Sequence, residues 1–246
     1  MTVLRLRLRE PAPLDGRLVV RGREHRYLSR VRRARPGESV EVLDGAGARL
    51  RGTIGSIGPD ETVLVDLAPP AGTAPPLERA PVPLTLALGL GRPEPLVRIV
   101  RAAAELAVAR IVPVRCAREL RRDDRALDSL VERWRRVASE ALRIGGLARA
   151  PEVAEPMTLE AWCGVLEPSS GRLCLDAAGE PLADALRQHA PAPSWAMLVG
   201  PEGGFEEAEE GMLDERGFRR VSLCPMPLRV ETAAVGAMGV FRAVVG

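Results

Sequence analysis

Six prolines and one glycine fall within PPAGTAPPLERAPVP at 69–83. Each proline lacks an amide donor and has its φ fixed by the ring, so the segment can sustain neither a helix interior nor a central strand. It divides the chain, and the hydrophobic pattern changes across it. Before it the runs are short and strand-like: Leu4, Leu6 and Leu8 alternate with Arg5, Arg7 and Arg9, followed by RLVV (17–20), SVEVL (39–43), ARLRGTIGSI (48–57) and TVLVDL (62–67), each bounded by turn residues. Strands at that spacing predict a small β-barrel over 1–68, interrupted at HRYLSRVRRARPGE (25–38) by one or two helical turns. We take 69–81 as the linker and 82–246 as a second domain.

After the linker, strand and helix patterns alternate. LTLALGL (84–90) is a nearly continuous apolar run, as expected of a strand covered on both faces, and Pro93 and Pro95 open a helix whose stripe is Leu96, Val97, Val100, Ala103, Ala104 and Ala107. IVPV (111–114) reads as the next strand. Asp123 or Asp124 can cap a helix carrying Leu127, Leu130, Val131, Trp134, Val137, Ala138 and Ala141 on one face. RLCLD (172–176), WAMLVG (195–200) and RRVSL (219–223) supply further strands, with helices over 181–190, 206–216 and 231–245. This alternation predicts an α/β fold with a parallel sheet, whose ligand sites lie at the carboxyl ends of strands, here the loops beginning at Gly89, Asp176, Gly200 and Leu223.

Net charge is +2, and the chain has neither lysine nor asparagine, so all 35 basic residues are arginine. Their distribution is uneven. Residues 21–35 carry seven arginines against Glu24 alone, whereas 206–215 carry six acids and no arginine. The basic run, beside His25 and Tyr27, suits contacts with RNA phosphates and stacking on bases, and a solvated arginine-rich face is the competing reading. Arg115, Arg118, Arg121, Arg122 and Arg125 form a second cluster. Four cysteines without a CxxC pair, and only two histidines, argue against a structural metal. No apolar run is long enough for a signal peptide or a membrane span, which leads us to expect a cytoplasmic protein with reduced thiols. Trp134 is expected in the core and His189 as a helix cap.

Two segments carry the chemistry. In LVGPEGGFEEAE (198–209) a strand end runs into Gly200-Pro201-Glu202-Gly203-Gly204, where residues without Cβ let backbone approach a ligand, and the acidic helix start that follows disfavours a phosphate there. In CPMPLRVETAAVGAM (224–238) Pro225 and Pro227 stiffen a loop that presents Arg229 ahead of a small-residue helix, an arrangement suited to a reacting group that becomes anionic. GLGR (89–92) lacks the rest of a dinucleotide fingerprint.

GPEGGF followed by LRVETAA resembles the C-terminal signature of the RsmE family, the 16S ribosomal RNA uridine N3-methyltransferases of the SPOUT superfamily. His25-x-x-x-x-Arg-Val-x-Arg with Pro36-Gly37, and AAELAVARIVPV (103–114), extend the resemblance over nearly the whole chain. It implies a PUA-like N-terminal β-barrel and an α/β domain with a trefoil knot that binds S-adenosylmethionine. It further implies a substrate in 16S rRNA or the small ribosomal subunit, and a homodimer through the C-terminal small-residue helix. By resemblance, Arg229 and Glu231 are catalytic. Leu175, Gly200, Pro201, Glu202, Gly203, Gly204, Leu223, Leu228, Thr232 and Ala233 would surround the cofactor, and Arg23, His25, Arg26, Arg30, Arg32 and Arg33 would bind RNA. Three stretches depart from the family pattern. GLGRPEP lacks the usual lysine, RIGGLARAPEV (143–153) has Ile144 and Leu147 in place of glutamine and arginine, and LCPMPLRVET has Cys224 and Met226 in place of glycine and arginine. The cofactor loops thus follow the pattern more closely than the substrate-facing ones. Two other readings therefore compete: a SPOUT methyltransferase for another RNA such as tRNA, or a catalytically weakened RNA-binding protein.

Overall fold

The computed structural model describes residues 4–8, 16–43, 49–69, 81–145, 149–188 and 192–246. His189, Gly146 and Leu147 lie outside them. The chain separates into two compact units, residues 1–79 with 142–150, and residues 80–141 with 151–246.

The first unit is a curled sheet of five strands, β1 (Leu4–Arg7), β2 (Leu18–Arg21), β3 (Ser39–Leu43), β4 (Arg49–Ile57) and β5 (Glu61–Ala68), in the order β1-β3-β4-β5-β2. β1 runs parallel to β3, and the other pairings are antiparallel. Among the described residues no pairing closes β1 onto β2. The leucine–arginine alternation at the N-terminus works as a strand should: Leu4 and Leu6 are buried, while Arg5 meets Glu41 of β3 at 2.8 Å. Between β2 and β3 a short helix α1 (Gly22–Arg26) continues into one π-helical turn, Tyr27–Val31, and seats Leu28 in the core.

The second unit contains a parallel sheet in the order β12-β10-β11-β6-β7-β8, made of β6 (Leu84–Gly89), β7 (Arg110–Arg115), β8 (Glu152–Val153), β10 (Gly171–Pro181), β11 (Trp195–Val199) and β12 (Arg219–Ser222), with β9 (Met157–Thr158) pairing separately on β7. Both faces are covered. Leu84, Leu86, Leu88, Trp195, Met197 and Val199 pack with residues of α2 (Pro93–Glu105), α3 (Asp124–Gly145), α5 (Leu182–Gln188) and α7 (Val230–Val245). Ala87, Ala196, Leu198 and Cys174 face α4 (Leu159–Gly164) and α6 (Glu207–Glu215). Burial on both faces is why these strands are continuous apolar runs.

Helix ends follow local chemistry. Asp123 is the residue that caps α3, its carboxylate accepting the Ala126 amide at 2.7 Å. α2 ends sooner than its apolar stripe suggests. Ala107 lies outside it at φ 56°, with Ala107 N–H donating to the Ala104 carbonyl and Val108 N–H to the Ala103 carbonyl. That is a Schellman motif with alanine in the place usually held by glycine. Arg242 of α7 fixes this termination by donating to the Leu106 and Ala107 carbonyls at 2.8 Å each, and to the Val82 carbonyl at 2.7 Å. The helix α4 and strands β8 and β9 carry no periodic signal in sequence because each is too short to display one.

Arg242→Met should therefore destabilise the second unit by about 2–3 kcal/mol, since part-buried carbonyls lose their charged donor. All three tryptophans, at 134, 162 and 195, lie in this unit. Urea unfolding followed by tryptophan fluorescence reads it directly, and a loss under about 0.5 kcal/mol would refute the assignment of that clamp.

Candidate active site

A cleft of about 450 Å³ opens in the second unit at the carboxyl ends of the central strands, within the size range of small-molecule sites. Its apolar wall comes from Leu175, Val199, Val221, Leu223, Leu228, Val230 and Ala233, and its polar groups from Arg92, Asp176, Glu202, Glu210, Ser222, Arg229 and Glu231. Gly200, Pro201 and Gly204 also line it. Four carboxylates against two guanidinium groups give this lining an excess of negative charge, suited to a ligand carrying a cation.

The shape of the cleft depends on two loops passing close together. β6 and β11 are paired neighbours, with Leu88 opposite Val199, so the loops that follow them leave the sheet side by side. A Cβ on Gly89 would lie 2.6 Å from the nitrogen and Cδ of Pro201 and 3.0 Å from the Gly200 carbonyl carbon. Only glycine allows that approach. Glu202 then ties the loops together, accepting the Arg92 amide at 3.1 Å and its Nε at 3.2 Å. Burial raises the Glu202 carboxyl, but the amides of Glu202 and Arg92 and the Arg92 guanidinium outweigh it and hold it below the usual carboxylate range. Gly204, at φ 70°, turns the chain into α6, whose Glu206 and Glu209 form a capping box. Glu209 also accepts the Ala117 amide at 2.8 Å.

Arg229 caps the start of α7 in extended conformation, and its side chain lines the cleft with no hydrogen-bond or ion-pair partner among the described residues. Glu231, two residues further on, is paired with Arg98 of α2 at 3.5 Å. Cys224 also lines the cleft, whereas burial pushes the thiols of Cys116 and Cys174 up to about 12 and that of Cys163 to about 11.

Eight of the ten residues expected around a cofactor line this cleft: Leu175, Gly200, Pro201, Glu202, Gly204, Leu223, Leu228 and Ala233. Gly203 does not, because its carbonyl and Cα pack against Arg118, which donates to it at 3.4 Å. Thr232 is exposed on α7 and also lies outside the lining. Asp176 and Glu210 were missed as individual residues, although a loop beginning at Asp176 was expected. Apolar walls, a glycine loop and surrounding carboxylates fit an adenosyl group bearing a sulfonium and an ammonium.

In the first unit, Arg23, Arg26, Arg30 and Arg33 are exposed and Arg32 is half-buried. His25 is different. It is 5% exposed, its Nε2 donating to the Pro59 carbonyl at 3.1 Å and its Nδ1 accepting from the Thr62 hydroxyl at 2.9 Å. A carbonyl can only accept, so Nε2 carries the proton, and both ring nitrogens are committed inside the sheet. His25 is thus a structural residue of this unit and is withdrawn from the set expected to touch RNA.

The RNA methyltransferase domain model matches residues 78–242. Ribosomal RNA small subunit methyltransferase E of Mycobacterium tuberculosis is 30% identical over 227 residues, covering 90% of this chain and 84% of the relative. The chain belongs to this family. The Synechocystis sp. member is 29% identical over 220 residues, 88% of this chain and 70% of the relative. A crystal structure of ribosomal RNA small subunit methyltransferase E from Neisseria gonorrhoeae bound to S-adenosyl methionine shares the fold, with a TM-score of 0.82 at 22% identity over 98% of each chain.

Replacing Gly89 with alanine should force the two loops apart, costing about 1–3 kcal/mol of overpacking and weakening ligand binding in the cleft. Gly211→Ala, in α6 with nothing near its Cβ position, should be neutral or stabilising. Equal behaviour of the two variants in thermal melts and ligand titrations would overturn the close-approach argument.

Proposed function

We propose that this chain transfers a methyl group from S-adenosylmethionine to N3 of a uridine in 16S rRNA of the small ribosomal subunit. The observation that carries the reading is the unpaired Arg229 guanidinium in a cleft whose other walls are the glycine loop and Leu223–Leu228 region expected to hold that cofactor. Leu175, Gly200, Pro201, Glu202, Gly204, Leu223, Leu228 and Ala233 would hold it. Bound there, it supplies a methyl group already activated by sulfonium.

The remaining task is at the base. Uridine N3 must give up its proton, here to solvent, as the nitrogen–methyl bond forms and the sulfur–methyl bond breaks to release S-adenosylhomocysteine, and negative charge develops on the uracil on the way. Arg229 stays protonated at any working pH, so it stabilises that anion and does not take the proton. Glu231, steadied by Arg98, orients the arginine or the base. The prolines before Arg229 and the helix after it hold the guanidinium before substrate arrives.

The N-terminal sheet is read as the RNA-binding domain, with 1–68 as its expected extent, 69–81 as linker and 82–246 as the methyltransferase domain, although residues 142–150 of that last stretch group with the first unit. Arg23, Arg26, Arg30, Arg32 and Arg33 would neutralise phosphates. The SPOUT reading carries a knotted path through the second unit and a homodimer. In α7, Ala234, Ala237, Met238 and Phe241 are occupied by the chain's own core, which leaves Val235 and Val244 exposed for a second copy. No helix among the described residues is long and apolar enough to cross a membrane. A ribosomal substrate supports a cytoplasmic location for the chain.

Arg229→Ala should leave cofactor affinity nearly intact and lower methyl transfer by roughly 10²–10³-fold, the loss typical of removing one donor aimed at developing charge. The measurement is nucleoside mass spectrometry of small subunits incubated with each protein, which also identifies the product. Raising the pH should partly rescue the variant. A variant that lost only cofactor affinity, with single-turnover transfer unchanged at saturation, would make Arg229 a binding contact and overturn the mechanism.

Replacing Arg30, Arg32 and Arg33 together should weaken RNA binding and flatten its salt dependence by about two to three units of slope, while cofactor binding stays the same. An unchanged RNA affinity across a salt titration would restore the solvated-face reading.

A further inference from the structure

The carboxylates Asp176 and Glu210 reach the cleft from elements far apart in sequence, and one arginine behind them links both. β10 loses register with β12 between Leu175 and Glu180, so residues 176–179 bulge from the ladder. The bulge passes against β12 closely enough that a Cβ on Gly179 would lie 2.5 Å from the Arg220 carbonyl carbon and the Val221 nitrogen. Asp176 is fixed within it. One carboxylate oxygen accepts the Ala178 amide at 2.9 Å, and the other accepts from Arg220 Nη1 at 3.3 Å.

Arg220 distributes the rest of its donors over α6. Its Nε and Nη2 each reach the Asp214 carboxylate at 3.1 Å, its Nη1 reaches Glu210 Oε2 at 3.4 Å, and its Nη2 reaches the Glu210 carbonyl at 3.4 Å. The hydrogen bonds to Asp214 first, with those to Asp176 and Glu210, raise the Arg220 pKa further above its ordinary value. Asp176 and Glu210 line the cleft, while Arg220 and Asp214 do not. A fork-shaped cation with five donors can hold three carboxylates at once, and without it they would repel one another. A carboxylate with about four acceptor sites keeps capacity for a ligand after such anchoring.

We propose that Arg220 is a positioning residue that sets Asp176 and Glu210 as hydrogen-bond acceptors for donor groups of the bound cofactor, its ribose hydroxyls or its ammonium. The proposal rests on the cofactor reading above. It makes the β10 bulge part of the binding site through a residue that never touches the ligand. Lysine, a point charge without the fork, cannot replace Arg220.

Calorimetry on the full chain tests this with S-adenosylmethionine, S-adenosylhomocysteine and methylthioadenosine, which keeps the ribose and lacks the amino-acid end. Asp176→Asn and Arg220→Met should each weaken S-adenosylmethionine binding roughly tenfold, as for losing one hydrogen bond to a charged group. Arg220→Lys should rescue little. The Arg220→Met/Asp176→Asn double variant should lose hardly more than either single, because both disrupt one arrangement. Parallel loss of methylthioadenosine affinity assigns the donors to the ribose, and its retention assigns them to the ammonium. Either outcome supports the proposal. Unchanged affinities in Asp176→Asn and Arg220→Met, or losses that simply add, would overturn it while leaving the cofactor reading intact. Absence of binding by the unaltered chain would sink the cofactor reading and this proposal with it.

Discussion

Parallel pairing of β6 with β11 is the constraint from which the cleft follows, because it sends two neighbouring strand-end loops out of the sheet in contact. At 2.6 Å from Pro201, the position a Cβ on Gly89 would occupy is already taken, so the separation of the loops is set by backbone and not by adaptable side chains. Glu202 then fixes their relative height through the Arg92 amide. The depressed carboxyl of Glu202 keeps this tie ionised as pH falls through the ordinary carboxylate range near about 4.3, and the tie is lost only once pH drops through its lower folded value.

An arginine-only cation set shapes how charge is held here. Arg242 clamps three carbonyls, Arg220 gathers three acids, and Arg92 serves one carboxylate with both amide and guanidinium. The first two uses depend on several donors in one plane, which an ammonium does not offer. Arg229 differs by having its donors uncommitted among the described residues, and that contrast, more than its position in a motif, marks it as the group waiting for a ligand.

Much of this was readable in sequence where a residue's role is local. The two-sided strands, the α3 stripe from Leu127 to Ala141, a cap at Asp123 or Asp124 and the converging loops at Gly200 and Leu223 follow from periodicity and turn chemistry, and the Ala126 amide decides for Asp123. Failures came where a distant partner decides. Ala107 fits its apolar stripe, but the chain turns at it under the Arg242 clamp. His25 sits in a basic run, yet Thr62 and Pro59, over thirty residues away, take its ring into the core. Gly203 shares a motif with Gly204, yet Arg118 packs on the one while the other turns the chain at φ 70°. Asp176 and Glu210 become cleft residues through Arg220, a link between three separate segments that no spacing rule contains.

The placement of sulfur has a consequence for chemical ageing. Cys116, Cys163 and Cys174 are buried as poorly ionised thiols, Met197 and Met238 are buried with them, and Met226 is 65% exposed at the cleft beside Cys224. Thiolate character and exposure govern oxidation. Among the described residues an oxidant therefore meets its most accessible sulfur on the rim of the ligand cleft, and a molecule oxidised there would forfeit recognition while its sheet and helices stayed intact, an inactive protein that still looks folded to a protease.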